Sequence, residues 1–229
     1  MLRDWNELPD FMRVDAVRPY WEYLYKKRKQ LAVKRGFDIV FALIFLVLLF
    51  IPMAIIAILI KIDSKGPVFY RQERVTAYGK RYKIHKFRTM VNDADKMGSL
   101  LTVGNDNRIT GVGSVLRRFR LDELPQLFDV ISGNMTFVGT RPEAVKYVEQ
   151  YEPEYFGTLL LPAGITSEAS IRFKNEDELL SGADDVDRVY IEKILPEKMK
   201  WNLDSLKKTS IISDISVMLR TVSAVIRTS

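Results

Sequence analysis

The sequence predicts a mainly helical α+β fold, in which a re-entrant membrane helix-break-helix carries a small cytoplasmic domain with a short β-hairpin and amphipathic interfacial helices. Three features lead to this prediction: a long uncharged apolar run, two alternating stretches around a tight turn, and helical spacing of apolar residues near the C-terminus. The 229 residues are 47% hydrophobic and 28% charged, which is enough apolar material for a folded core. We divide the chain into segments 1–35, 36–63, 64–204 and 205–229.

Composition limits the chemistry of the chain. Lys and Arg total 35 against 29 Asp and Glu, so the formal charge is +6 at pH 7 and an anionic partner is favoured. The chain has no cysteine, which excludes disulfides, thiolate metal sites and cysteine nucleophiles. Its single histidine, His85, excludes His-rich metal sites, and we expect a structural role for it.

The N-terminal segment 1–35 combines tryptophans and tyrosines with lysines and arginines. This mixture is favoured at the level of lipid headgroups, because such side chains have an apolar body and a polar tip. We therefore expect the segment to lie at a membrane interface.

The segment 36–63 has no charged residue between Ile39 and Ile60. At about 1.5 Å per residue, a helix of this length crosses a hydrocarbon core roughly 30 Å thick. Pro52 lies inside the run and lacks a backbone donor, so we expect a kink or break near it. Basic residues flank both ends, and positive charge marks the cytoplasmic side. A re-entrant helix keeps both flanks in the cytoplasm; the alternative is a kinked single span.

The segment 64–204 carries the polar residues. Its first part predicts a β-hairpin, with one strand in PVFYRQERV and its partner in KRYKIHKF, joined across AYGK. A helix with Pro125 in its first turn and an end at Gly133 is predicted in DELPQLFDVIS. A further helix, opened by Pro142, is predicted in RPEAVKYVEQY. The sequence contains neither a Walker-type loop nor a G-x-G-x-x-G motif.

The C-terminal segment 205–229 shows helical spacing of apolar residues from Ile211 to Ile226. This spacing predicts an amphipathic helix. The pattern allows two contacts for the apolar face of this helix: a membrane surface or the core of the protein.

The octapeptide RLDELPQL places Asp122 and Glu123 side by side in a basic and apolar setting. Both acids fall at or just before the predicted helix start, where the helix dipole favours negative charge. Taken alone, the octapeptide is explained by a solvated surface turn.

Together with other stretches, however, the octapeptide resembles the bacterial sugar transferase family, small monotopic phosphoglycosyl transferases that act on polyprenyl phosphate. The resemblance runs from about Lys34 to Val225. Its carrying segments are the apolar run with Pro52, GPVFYRQERV, HKFRTM, RITGVGSVLRRFRLDELPQLFDVISGNMTFVGTRP and PAGIT. An Asp-Glu pair alone is a weak signal, whereas this ordered series is specific.

The resemblance implies that the protein transfers a phosphosugar from a UDP-sugar to undecaprenyl phosphate or a similar polyprenyl phosphate. UMP leaves, and the lipid-linked sugar starts the assembly of a cell-surface polysaccharide. The resemblance further implies a catalytic domain in 64–204, a covalent phosphosugar-aspartyl intermediate and a requirement for Mg²⁺. It places the enzyme in one leaflet of the bacterial inner membrane, facing the cytoplasm. We expect no nucleic-acid partner, and self-association is left open.

The family's Asp-Glu dyad falls on Asp122 and Glu123. The resemblance makes Asp122 the nucleophile and places both carboxylates at Mg²⁺. Glu123 is left between binding Mg²⁺ and tuning the protonation of the dyad. A carboxylate that approaches a diphosphate needs cations to offset repulsion. A nucleophilic carboxylate also splits the transfer into two displacements.

Phosphate contacts are expected at four positions that follow the family's motifs: Lys86, Arg117, Arg141 and Pro142. A planar guanidinium suits phosphate oxygens. For Arg88, two roles stay open: a contact with phosphate or a structural ion pair.

The chain departs from the family pattern at three places. Thr140 stands where many members have a proline, and Thr76 stands where a glycine is common. The stretch PAGITSEASI, Pro162 to Ile171, replaces the common PGITGWAQV. This last change makes the sugar preference of relatives unsafe to transfer.

Two other functions compete with catalysis. One is a catalytically inactive membrane-bound scaffold of a glycan assembly pathway. The other, suggested by charge alone, is a module that binds anionic lipid or nucleic acid, and strong salt dependence would mark it. Release of UMP from UDP-sugars separates the enzyme from both.

Overall fold

The structure is a computed structural model that describes residues 2–94, 101 and 106–226. The predicted segments 1–35, 64–204 and 205–229 each extend in part outside the described residues. The helices are α1 (Arg18–Lys26), α2 (Arg28–Asp63), α3 (Gly111–Arg118), α4 (Gln126–Ile131), α5 (Val145–Val148), α6 (Glu168–Arg172), α7 (Glu176–Leu179), α8 (Val186–Val189), α9 (Leu195–Leu206) and α10 (Ile211–Ile226). The strands are β1 (Phe69–Val75), β2 (Arg81–Phe87), β3 (Met135–Val138) and β4 (Ala163–Thr166).

The largest hydrophobic core joins the N-terminal segment to the C-terminal half of the chain. Met12 and Leu24 are fully buried there against residues such as Tyr147, Leu160 and Met199. The N-terminal segment therefore belongs to the domain core. Its predicted contact with a membrane interface stays a prediction.

Helix α2 is one continuous helix of 36 residues with Pro52 inside it. Of the kink or break predicted at Pro52, a break into two separate helices is therefore wrong, and the kink stays a prediction. A proline removes one backbone hydrogen bond, whereas packing on both sides of it holds the helix. Ala42 lies in one core cluster before Pro52, and Met53 and Ile56 lie in another after it.

The outward face of α2 is apolar and exposed. Val47 is 79% exposed and Ile62 is 77% exposed. Within the described residues, α2 is the one helix that is long and apolar enough to cross a membrane. A contiguous apolar surface of this kind marks contact with a membrane or another apolar partner.

The predicted β-hairpin is confirmed. β1 and β2 pair antiparallel, with Phe69 opposite Phe87 and Val75 opposite Arg81. A second pair, β3 and β4, is parallel, with Met135 opposite Ala163, and no local pattern predicted it. This pair needs a close backbone approach, because a Cβ on Gly164 would lie 2.2 Å from the Gly139 carbonyl oxygen.

The helix predicted to open at Pro142 begins three residues later, at Val145. Tertiary hydrogen bonds hold the preceding residues extended: the Val75 N–H donates to the Glu143 carbonyl at 3.0 Å, and Arg74 Nη1 donates to the Pro142 carbonyl at 3.4 Å. The local helix signal was overridden by contacts with β1.

Helix α10 confirms the predicted amphipathic helix and exposes most of its apolar face. One stripe of exposed residues comprises Ile212, Ile215, Leu219, Val222 and Ile226. Only Val217 is buried among the described α10 residues. Of the two contacts that the sequence allowed for this face, packing on the protein core is therefore not favoured by the structure, because most of the face is exposed.

Candidate active site

Asp122 and Glu123 lie in a short 3₁₀ turn, Leu121–Glu123, between α3 and α4. The turn opens at Arg120, which has a left-handed backbone with φ of 56°. A non-glycine residue there costs about 1–3 kcal/mol, and such strain clusters at functional sites. The sequence prediction that the acids lie just before the helix start is confirmed, since α4 begins at Gln126.

The dyad turn packs directly on the second half of α2. Leu121 and Leu124 lie against the cluster that contains Ile56 and Ile60 of α2. This packing places both acids beside the apolar helix.

Glu123 is the anchored member of the dyad. Its Oε1 lies 2.5 Å from Arg141 Nη2, 3.3 Å from Lys86 Nζ and 3.6 Å from Arg120 Nη1. Arg141 Nη1 also donates to Oε2 at 3.3 Å, so the guanidinium binds the carboxylate with both arms. Three cations from three parts of the chain thus converge on one buried carboxylate.

Asp122 is buried to a similar extent but is held less tightly. Within the described residues, its carboxylate has one ion pair within 4.0 Å, to Lys86 Nζ at 3.9 Å. Asp122 and Glu123 are 8% and 7% exposed. The difference between the two acids therefore comes from their partners, not from their burial.

These contacts shift the pKa values of the two acids in opposite directions. Burial raises the pKa of Asp122; Lys86 opposes this shift, and the neighbouring Glu123 carboxylate adds to it. Burial also acts to raise the pKa of Glu123, but Arg141, Lys86 and Arg120 outweigh it and hold that pKa well below its usual range. The surroundings of Glu123 therefore favour its ionised form, whereas burial disfavours the ionised form of Asp122.

Burial and the two carboxylates also shift the pKa values of the basic residues around the dyad. Burial lowers the pKa of Lys86, with Glu123 opposing the shift, and burial lowers the pKa of Arg117, with Asp122 opposing it. Glu123 raises the pKa of Arg141. Because Lys86, Arg117, Arg120 and Arg141 surround two carboxylates, the site has an excess of positive charge that suits a polyanionic ligand.

Lys86 and Arg141 form ion pairs with the dyad, and Arg117 is near enough for Asp122 to act on its pKa. Their predicted contacts with phosphate stay predictions. The predicted Pro142 uses its carbonyl to accept from Arg74, and so fixes the backbone next to Arg141. Pro52 lies on α2, outside the ring of charged residues. Arg120, named in the sequence only as part of a basic stretch, contributes a direct ion pair to Glu123.

Arg88, left open by the sequence, is structural. Its guanidinium donates to the carbonyls of Ser64 at 2.7 Å, Lys65 at 2.9 Å and Ile60 at 3.4 Å, and so caps the C-terminal end of α2. Arg35 plays a similar part at the end of α4, where it donates to the Val130 carbonyl at 2.7 Å. Both arginines tie α2 to the elements that carry the dyad.

His85 is structural as predicted, but it does have a partner. Asp129, 1% exposed, accepts from the His85 backbone N–H and lies 2.8 Å from its Nδ1. Sequence inspection missed this pair because the two residues are 44 positions apart.

A metal site made of protein ligands alone is not found in the described part of the chain, because no three His, Cys, Asp or Glu side chains come together there. Mg²⁺ often takes one or two carboxylates and completes its shell with phosphate oxygens and water. The dyad fits that pattern. Since both oxygens of Glu123 accept from Arg141, Asp122 is the more available ligand.

Comparison with known proteins identifies relatives over most of the chain. The profile of the bacterial sugar transferase family matches residues 29–228. A candidate undecaprenyl-phosphate N-acetylgalactosaminyl 1-phosphate transferase of Bacillus subtilis is 43% identical over 132 residues, which are 58% of this chain and 74% of that protein. UDP-glucose:undecaprenyl-phosphate glucose-1-phosphate transferases of Escherichia coli and Caulobacter vibrioides are 37% and 33% identical. Those matches cover 83% and 85% of this chain, but 39% and 70% of the relatives.

Proposed function

The chain belongs to the bacterial sugar transferase family, and we propose that it transfers a phosphosugar from a UDP-sugar to a polyprenyl phosphate, with release of UMP. Relatives are named for this reaction type, with N-acetylgalactosamine or glucose as the sugar. The proposal covers the reaction type and leaves the sugar to experiment.

One observation carries the proposal: the two acids of the dyad are unequally engaged. Three cations hold Glu123, whereas the Asp122 carboxylate has a single long ion pair to Lys86 among the described residues. A nucleophile must leave its partners to attack, so the loosely held carboxylate is the better candidate. Glu123 then serves to position Arg141 and Lys86.

The proposed reaction has two displacements. An Asp122 carboxylate oxygen attacks the sugar-linked phosphorus, the bond from that phosphorus to the bridging oxygen breaks, and UMP leaves with that oxygen. An oxygen of the polyprenyl phosphate then attacks the same phosphorus and releases the Asp122 carboxylate. Lys86, which lies 3.9 Å from Asp122, and Arg117, whose pKa responds to Asp122, are the cations that we propose to stabilise the charge on the diphosphate.

Magnesium is the proposed cofactor, held by Asp122 together with Glu123 and phosphate oxygens. When bound, the ion supplies positive charge that offsets repulsion between the carboxylate and the diphosphate. Arg141 keeps Glu123 ionised and oriented for this role.

We also propose that α2 enters one leaflet from the cytoplasmic side of the bacterial inner membrane. Support comes from contacts at both ends of the helix. Near its start, Asp38 accepts from the Thr136 hydroxyl at 2.5 Å; at its end, Asp63 accepts from the Val112 N–H at 3.0 Å. Because the same domain contacts α2 just before its uncharged run and at its end, we propose that both of these points lie on the cytoplasmic side.

The reaction is tested by UMP release from purified full-length protein with a panel of UDP-sugars, undecaprenyl phosphate and Mg²⁺. Without the lipid acceptor, intact-protein mass should increase by one phosphosugar in the wild type and not in Asp122→Asn. Absence of UMP release across the panel would favour the inactive scaffold. An adduct that persists in Asp122→Asn would place the nucleophile elsewhere.

The topology is tested with single cysteines, since the chain has none of its own. Lys29→Cys and Lys65→Cys report on the two ends of α2. We expect a membrane-impermeant reagent to label both in inside-out vesicles and neither in intact cells. Labelling of one position from the outside only would mean a full span.

A further inference from the structure

A cavity lies away from the dyad, between the start of α2, the end of α9 and the start of α10. Its volume is about 380 Å³, and small-molecule sites have volumes of about 300–1,000 Å³. The dyad carboxylates are not among its lining residues. The cavity therefore excludes the two carboxylates, although Thr140, next to Arg141, and Ser167 and Glu168 of the PAGITSEASI stretch line one side of it.

The lining is mainly apolar, with buried residues such as Leu160, Leu206 and Val217. The charged residues in the lining are five basic and three acidic. The basic ones are Arg3, Lys34, Arg35, Lys80 and Lys208. Lys34 is paired with Asp214 at 2.5 Å and with Asp38 at 3.7 Å, and Arg35 donates to α4 carbonyls, which leaves Arg3, Lys80 and Lys208 for a phosphate, the last from an exposed pair with Asp204. An apolar interior with an excess of basic residues suits an amphiphile that carries a negative charge.

Asn202 gives the cavity a specific polar group. It is 3% exposed, it lines the cavity, and its Oδ1 has no hydrogen-bond partner among the described residues. Buried amides are normally hydrogen-bonded, so this group indicates a missing partner. A hydroxyl fits whichever way the amide is turned, because it both donates and accepts.

The position of the cavity connects it to the membrane. Leu31 and Lys34 lie on the turns of α2 just before its uncharged run begins at Ile39. The exposed apolar stripe of α10 begins next to the cavity. Ser213 lines the cavity, and Ile212, the residue before it, is 82% exposed. The end of a membrane segment is where lipid headgroups lie.

We propose that this cavity binds an anionic glycerophospholipid with hydroxyl groups in its headgroup, of the phosphatidylglycerol type. The first acyl carbons occupy the apolar part, the phosphate lies among the basic residues, and a headgroup hydroxyl pairs with Asn202. The proposal depends on membrane association of the chain and not on the transfer reaction.

The test measures lipid retained by the purified full-length protein in native mass spectrometry. Phosphatidylglycerol, phosphatidic acid and phosphatidylcholine are added separately in detergent. Ser213→Phe fills the cavity, and Ser216→Phe is the matched control, because Ser216 lies exposed on the same helix and does not line the cavity. Asn202→Leu removes the amide at nearly constant size. Thermal unfolding without added lipid checks that each variant is folded.

We expect the wild type and Ser216→Phe to retain phosphatidylglycerol about tenfold better than phosphatidylcholine, and Ser213→Phe to lose about tenfold in retention. Asn202→Leu should bind phosphatidylglycerol no better than phosphatidic acid. Equal retention by folded Ser213→Phe and the wild type would overturn the proposal. So would displacement of phosphatidylglycerol by equimolar undecaprenyl phosphate, which would make the cavity a substrate site. If the wild type retained phosphatidylglycerol as expected but released no UMP, the result would count against the proposed function and not against the lipid site.

Discussion

Because Glu123 has three cationic partners and Asp122 has one among the described residues, we predict that a change of Glu123 mainly lowers the stability of the protein. A change of Asp122 should mainly lower its activity. Glu123→Gln leaves Arg141 and Lys86 buried without their main counter-charge, and breaking a buried ion pair costs about 3–5 kcal/mol. The side chains of Arg141 and Arg120 are 27% and 38% exposed, so water relieves part of this penalty. We therefore expect a loss of about 2–3 kcal/mol, which in a chain of this size lowers Tm by roughly 4–12 °C.

Asp122→Asn should behave in the opposite way. Burial and Glu123 already disfavour the charged form of Asp122, so its neutralisation should change stability by about 0.5 kcal/mol or less. Activity should fall by about 10⁴-fold or more, because the nucleophile is gone. Glu123→Gln keeps the nucleophile and should lose about 10²–10³-fold through misplaced cations.

Thermal unfolding in detergent and UMP release measure the two effects on the same preparations. Glu192→Gln is the matched control, since Glu192 pairs with Arg188 at 2.9 Å on an exposed surface, and such pairs contribute little. If Asp122→Asn lowered Tm as much as Glu123→Gln, the asymmetry between the acids would be refuted. Turnover of Asp122→Asn within about tenfold of the wild type would refute the nucleophile assignment.

Four further outcomes are expected. Lys86→Met removes a cation that favours ionised Asp122, so the acid limb of the kcat/KM–pH profile should move to higher pH; the exposed Lys83→Met should leave that limb in place. Arg88→Met should cost about 2–3 kcal/mol in thermal unfolding, because the carbonyls at the end of α2 lose their donor; Arg88→Lys should not fully restore stability, because it lacks the guanidinium fork. The pKa of Glu123 lies below its ordinary value of 4.5, so its stabilisation is present above pH 4.5 and is lost as pH falls through the lower folded value; Glu123→Gln should weaken this acid dependence of Tm. Chelation of divalent ions should abolish UMP release, Mg²⁺ should restore it, and unchanged turnover in chelator would contradict the cofactor proposal.

Several elements of the fold followed from local patterns in the sequence. Alternation in PVFYRQERV and KRYKIHKF with a turn between them predicted the hairpin, and the uncharged run predicted α2. The helical spacing after Ile211 predicted α10. These elements depend on residues that are close along the chain, so a period of two or 3.6 residues is enough to specify them. The family resemblance added the dyad and three of the cations around it.

The sequence by itself thus determined the apolar helix, the hairpin, the excess of positive charge and the positions of the two acids. Only the tertiary structure decided how those acids differ. Lys86 and Arg141 reach Glu123 across 37 and 18 positions of the chain, and the parallel β3–β4 pair that leads to Arg141 left no local signal. Adjacent carboxylates look equivalent in a sequence, because their pKa values depend on which cation approaches which oxygen in a buried site, and that is fixed by contacts between distant parts of the chain.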